Sequence, residues 1–374
     1  MNDQSGVYED ITGAKAVEAA RMAVEDFGGK VLGKKIEVLV ANHQNKTDIA
    51  TSIARKWVDV DHVDAIADVT GSGVALAVNE LLRDRNTVMI VASAATSDLT
   101  GKACSPTTVQ FAYDTYSLAK STATEILKQG GDTWFFITAD YAFGHALERD
   151  TSAFVEKGGG KVLGSVRAPL GTSDYSSFLL QAQASKAKII GLATAGGDTI
   201  TAIKQSAEFG IQGGGQRLGG LLIYINDVEA LGLNGAQGLM LTTSFYWDLT
   251  DETRAWTKRF LDRTGGQRPP NMLQVGLYSG VLHYLKSVEA AGTRDAKAVS
   301  KKMRELPVND FYNKQVKLRD DGRVLHEMYL VQVKSPAESK YRFDDYKVLS
   351  KLAGADAYRP MSEGGCPSVA QPQR

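Results

Sequence analysis

Between residues 13 and 27, the apolar positions Val17, Ala20, Ala23, Val24 and Phe27 recur at steps of three and four, the spacing of one helix face. Leu147, Thr151, Phe154 and Val155 repeat that stripe further along. Gly13 and Gly144 open the two segments, and glycines close both, as helix C-termini favour. The same six residues, GGKVLG, stand at 28–33 and again at 159–164. After each copy comes a strand-like run, KKIEVLVA in the first and SVRAP in the second. Each run leads to an amphipathic helix opened by Thr or Ser with Asp (NKTDIATSIARKWVD and GTSDYSSFLLQAQAS), which is N-cap chemistry. Each helix leads to a buried strand ending in Thr and small residues (VDAIADVTGSG and AKIIGLATAGG). A correspondence over roughly sixty residues predicts two related βαβ-type lobes.

The copies differ at their start. TWFFIT at 133–138 is a strong strand before the second copy's first helix, whereas the first has only the polar, turn-like MNDQSGVYEDIT. A doubly wound lobe without such a strand lacks a central member of its sheet. Met1 is therefore expected at or just past the end of a strand whose residues lie outside this sequence.

Further along, GSGVALAVNELLRDRN, YSLAKSTATEILKQGG and DTITAIKQSAEFG read as helices, and TVMIVASAA, RLGGLLIYI and GLMLTTSFY as strands. Three more helices follow, in DETRAWTKRFLDRTG, PNMLQVGLYSGVLHYLKSVEAAG and DAKAVSKKMREL. KQVKLRDDGRVLHEMYLVQVK reads as a hairpin around Asp320, Asp321 and Gly322.

Charge and composition narrow the function. Lys+Arg and Asp+Glu both number 43, a formal net charge of zero, which gives no support to nucleic-acid or anionic-membrane partners. No apolar run reaches the length of a membrane span. The two cysteines, Cys104 and Cys366, sit in loop-like contexts without metal-type spacing. They are either two unrelated thiols or one disulfide pinning the C-terminal tail to the first lobe. The disulfide is the expectation, and it requires an oxidising compartment.

Chemistry motifs are sparse. GSGVAL at 71–76 follows a strand and opens a helix, but it lacks the third glycine of a dinucleotide fingerprint, and no acidic residue closes the second strand. His43, His62, His145, His283 and His326 are scattered, with no paired nucleophile and base. No enzyme, cofactor or metal site is expected. What remains lies at the carboxyl ends of strands, where α/β sheets bind ligands: VTGSG, ASAAT, TADYAFG, ATAGGD and YINDV. Small residues there let a ligand approach backbone N–H groups, and a following helix start favours an anion.

GAKAVEAARMAVEDFGG, VASAATSDLTG, TWFFITADYAFGHALERD and DTITAIKQSAEFG carry a resemblance over nearly the whole chain. It resembles the type I periplasmic solute-binding proteins of ABC transporters, in the branched-chain amino-acid (leucine-binding) family. The resemblance implies an α/β fold of two Rossmann-like lobes joined by a three-segment hinge, with crossings near 113–116, 244–247 and 326–328. It implies a first lobe of 1–115 and 247–327, and a second of 116–246 and 328–374 including the tail. A small ligand would lie in an interlobe cleft and pass to a membrane permease; a periplasmic monomer with an upstream export signal is implied. Ala94, Ala95 and Thr96 match the family's carboxylate-binding stretch, through backbone N–H groups and the Thr hydroxyl, with Ser72 near a second carboxylate-binding serine. Phe143 falls where the family has an aromatic residue over the ligand, with Tyr141 beside it, and Asp227 near the acid that meets an α-ammonium. The family's other aromatic residue falls at Ala195 or Gly196, and its absence leaves room for an aryl ring. An amino acid is thus the first expectation, an aromatic acid or amide the alternative. A ligand-sensing regulator on the same fold is a further alternative.

Overall fold

In the computed structural model, which describes residues 1–369, the first apolar stripe forms α1 (Gly13–Phe27), stopped by Gly28 in the left-handed region at φ 109°. A short antiparallel pair follows, β1 (Lys30–Val31) and β2 (Lys34–Lys35). Next come α2 (Thr47–Asp59), β3 (Ala65–Asp68), α3 (Ser72–Leu82), β4 (Val88–Val91) and β5 (Thr108–Gln110). Strands β3, β4 and β5 form a parallel sheet in that order. Residue Met1 and its neighbour Asn2 hold the only part of residues 1–12 that joins a ladder. Asn2 bridges Asn42, the Met1 amine donates to the Ala67 carbonyl at 3.1 Å, and the Val69 N–H donates to the Met1 carbonyl at 2.9 Å.

Two sequence expectations fail here for physical reasons. KKIEVLVA contributes only Lys34 and Lys35 to a strand, because residues 36–40 run along the sheet with no neighbouring strand to pair with. The N-cap of α2 is Lys46, whose side chain makes no cap, and Asp48 acts through its charge in the first turn instead.

The repeat then recurs as α4 (Thr115–Lys128), β6 (Thr133–Ala139), α5 (Ala142–Lys157), β7 (Lys161–Ala168), α6 (Ser176–Ala184), β8 (Ile189–Ala193), α7 (Gly197–Glu208) and β9 (Arg217–Gly220). These strands make a parallel sheet of order β7-β6-β8-β9. RLGGLLIYI is a strand only to Gly220, since its end runs into a helix, α8 (Ile225–Leu231). The chain continues through α9 (Leu233–Ala236) and β10 (Met240–Thr243) to the three expected helices: α10 (Asp251–Thr264), α11 (Met272–Ala291) and α12 (Ala296–Glu305). Capping boxes open α4 (Asp114, Ser117), α10 (Thr250, Thr253) and α11 (Asn271, Gln274). The expected hairpin around Asp320 is a tight turn closed by a single bridge, Leu318 with Val324. Its second arm instead becomes β11 (Met328–Val333), which lies antiparallel between β10 and β12 (Tyr346–Leu352).

By contacts the chain forms two units, each compact in itself. One comprises Met1–Tyr113, Phe245–His326 and residues 358–369; the other comprises Asp114–Ser244 and Glu327–Ala357. The chain passes between them at 113/114, 244/245 and 326/327, and a fourth time at 357/358. The tail from Tyr358 therefore belongs with the first unit, not the second as the resemblance implied. A disulfide, Cys104–Cys366, with Cα atoms 5.5 Å apart, holds it there. The Arg359 guanidinium adds a bond to the Ser97 carbonyl at 2.7 Å, and Arg323 stacks on the Tyr358 ring at 4.6 Å.

Candidate functional site

In the first unit, β3 and β4 each end in a turn of small residues. Gly71, at φ 85°, caps α3, and a Cβ there would stand 2.1 Å from the Asn45 side-chain oxygen, so only glycine fits. Ser72 begins α3 and is buried. Its hydroxyl oxygen accepts the Thr96 N–H at 3.1 Å, which ties the two turns together. The Thr96 hydroxyl oxygen accepts the Asp98 N–H at 3.3 Å and caps a short turn at Ser97–Thr100. The expected carboxylate contact through the Thr96 N–H is thus already engaged within the protein. The N–H groups of Ala94 and Ala95 meet no acceptor among the described residues. The Ala94 and Ala95 amides and the Ser72 and Thr96 hydroxyls thus lie on two joined turns, donor chemistry that suits a carboxylate. Gln110, which sequence reasoning missed, fixes this turn from β5: its amide donates to the Ala94 carbonyl at 2.8 Å. No local sequence pattern marks it: Gln110 ends a short strand whose three residues are all buried.

In the second unit, Tyr141 caps α5 and its ring lies 5.9 Å from that of the buried Phe143. A Cβ on Gly144 would stand 2.1 Å from the Ala139 carbonyl, so glycine is required for α5 to start this close to β6. Ala195 is buried, and Gly196, at φ 58°, caps α7. Asp227 is buried in the first turn of α8, where its carboxylate accepts the Tyr224 N–H at 2.9 Å. Ser72, Ala94, Ala95 and Thr96 thus gather in one unit, and Tyr141, Phe143, Ala195, Gly196 and Asp227 belong to the other.

Sequence reasoning also missed Asp198, in the first turn of α7. Both its oxygens accept the Gly171 N–H at 3.1 Å, yet burial pushes its carboxyl up to about 6 from an ordinary 3.8. The folded chain therefore holds a proton there at pH values where the unfolded chain has lost it. Stability from this group is complete below about pH 4 and is lost as pH rises through about 6. Asp198→Asn should raise stability at pH 7.5 by about 1–3 kcal/mol, with little change at pH 4. Urea denaturation at the two pH values checks this, and an equal effect at both would contradict it.

Among the described residues no group of His, Cys, Asp and Glu is arranged to hold a metal ion, and no helix is long and apolar enough to cross a membrane.

A family model described as periplasmic binding protein matches residues 1–340. A solved structure of a periplasmic binding protein from Burkholderia mallei is 48% identical, covers 99% of this chain and 97% of its own, and superposes with a TM-score of 0.96. A branched-chain amino-acid ABC transporter periplasmic ligand-binding protein from Burkholderia xenovorans is 39% identical, with 98% of both chains covered and a TM-score of 0.86. A Leu/Ile/Val-binding protein homolog of Brucella melitensis is 28% identical over 284 residues, 73% of this chain and 71% of the relative.

Proposed function

Because this chain belongs to the periplasmic binding protein family of ABC transporters, whose members bind solutes and are not enzymes, we propose that it captures a small carboxylated solute, an α-amino acid in the first place, for delivery to a membrane permease. The family places it in the periplasm, an oxidising compartment in which the Cys104–Cys366 bond persists.

The observation that carries the ligand class is the donor cluster of the first unit. The Ala94 and Ala95 amides meet no protein acceptor among the described residues, and the Ser72 and Thr96 hydroxyls flank them. Hydrogen bonds to a charged group contribute about 1.5–3 kcal/mol each. The relative from Burkholderia xenovorans, described as a branched-chain amino-acid transport protein, supports the amino-acid reading. An aryl carboxylate is the second reading, favoured by Ala195 and Gly196, which place no ring at the start of α7.

Thermal-shift screening tests the class, since a ligand that binds only the folded state raises the melting temperature. Leucine and related acids should raise it, leucinamide and other carboxamides should not, and Ser72→Ala should weaken the acids about tenfold or more, the loss of one bond to a charge. Equal shifts from acids and amides would contradict the proposal.

A further inference from the structure

The tail of the first unit brings a cation to the residue that follows the Ala94–Thr96 turn. Arg359 lies between two anchored residues: Tyr358, buried with its ring against the Arg323 guanidinium, and Cys366, bonded to Cys104. Its own carbonyl accepts the Arg319 guanidinium at 2.8 Å, and Arg319 is paired in turn with the buried Asp321. From this fixed backbone the Arg359 side chain reaches the carbonyl of the buried Ser97, 2.7 Å from Nη2. The guanidinium meets no carboxylate among the described residues, so no anion competes with that carbonyl. A charged donor makes a stronger bond than a neutral one.

The Ser97 carbonyl shares a peptide plane with the Asp98 N–H. That peptide is trans, so the two groups point in opposite directions. At the far end the Asp98 N–H donates to the Thr96 hydroxyl oxygen at 3.3 Å. The hydroxyl keeps its own proton for another acceptor and finds none among the described residues. A cation on the carbonyl draws electron density along the amide and strengthens its N–H as a donor, and buried hydrogen bonds in series polarise one another. Rotation of this one peptide would break both bonds, so Arg359 also fixes the plane that orients Thr96.

The other supports of the turn act on different atoms. Ser72 takes the Thr96 N–H, and Gln110 holds the Ala94 carbonyl. Neither reaches the Thr96 side chain.

We propose that Arg359 is a positioning residue of the candidate site, acting on a bound carboxylate through the Ser97–Asp98 peptide and the Thr96 hydroxyl. The proposal rests on the carboxylate reading of that site. Guanidinium, peptide N–H and hydroxyl each donate in the same direction, from the cation at one end toward the anion at the other.

The test compares Arg359→Met, Arg359→Lys, Thr96→Val and the Arg359→Met/Thr96→Val pair. The disulfide anchors the tail in all of them. Leucine affinity is read by calorimetric titration, and amide hydrogen exchange is read on the ligand-free protein. Arg359→Met should weaken leucine about tenfold and speed exchange at Asp98 about tenfold, with the amides of the second unit unchanged. Arg359→Lys keeps a charged donor for a single carbonyl and should bind within about threefold of the unaltered protein. In the Thr96→Val background the Met substitution should change affinity less than about twofold, because its route is gone; a purely structural role would cost the same in both backgrounds. Unchanged exchange at Asp98 in Arg359→Met would overturn the proposal, as would unchanged leucine affinity or full additivity with Thr96→Val. If the unaltered protein binds neither leucine nor 4-hydroxybenzoate, the carboxylate reading fails, and the exchange at Asp98 still decides whether Arg359 holds the peptide.

Discussion

Replacing Cys104 and Cys366 by Ser is expected to lower the unfolding free energy by about 5 kcal/mol. The bond spans 262 positions, and the loop it closes contains the whole second unit. In the chain-entropy account, a cross-link restricts the unfolded chain more as its loop grows, and a loop this long stands near the top of the range. The folded state also loses a local anchor. Both sulfurs are buried, and the bond holds the tail against the loop that follows the Ala94–Thr96 turn. That loop also meets the tail through the Arg359 bond to the Ser97 carbonyl and at Gly101, where a Cβ would stand 2.7 Å from the Gly364 carbonyl. Urea denaturation of the double Ser variant measures the loss. A change below about 1 kcal/mol would contradict it, because an unstrained bond closing this loop cannot contribute so little in that account.

The repeat was the most informative feature of the sequence, because periodicity and glycine stops act locally and both copies spell them out. α1, α2, α5 and α6 follow from it, with β3, β7 and β8. KKIEVLVA was misread for a non-local reason: its residues have strand character, but a strand needs a partner, and residues 36–40 have no neighbouring strand. RLGGLLIYI was misread at its end, where apolar residues lead into the capping box of Tyr224 and Asp227 rather than extending the sheet. In the candidate site, Ser72 and the Ala94–Thr96 turn were legible as small residues at strand ends. Gln110 and Asp198 were not. Their importance comes from burial and from partners 16 and 27 positions away, which no local pattern displays. The tail's attachment to the first unit, by contrast, was legible in the two cysteines, whose expected disulfide joins positions 262 apart.

The second large effect concerns Asp227. Its carboxylate accepts the Tyr224 N–H, so it caps α8, and the family resemblance makes it the expected partner of a ligand ammonium. Asp227→Asn separates the two roles: the amide oxygen can still accept that N–H, while the charge is gone. The substitution should weaken leucine by about 2–5 kcal/mol, the range for removing one partner of a buried charged pair. It should leave a neutral-tailed aromatic acid nearly unchanged. Asp227→Ala should add a loss of helix stability of about 1 kcal/mol, the usual cost of a lost cap. If leucine binds the Asn variant as tightly as the unaltered protein, the assigned role of Asp227 is wrong.

The central claim is that the donor cluster at Ser72, Ala94, Ala95 and Thr96 serves a small carboxylate, with an α-amino acid first. Calorimetric titration of the unaltered protein with leucine and with 4-hydroxybenzoate tests it most directly. The account predicts one-to-one binding of leucine, tighter than that of 4-hydroxybenzoate. Tighter binding of 4-hydroxybenzoate would reverse the ranking in favour of aryl acids, and heat of binding from neither carboxylate would contradict the claim itself.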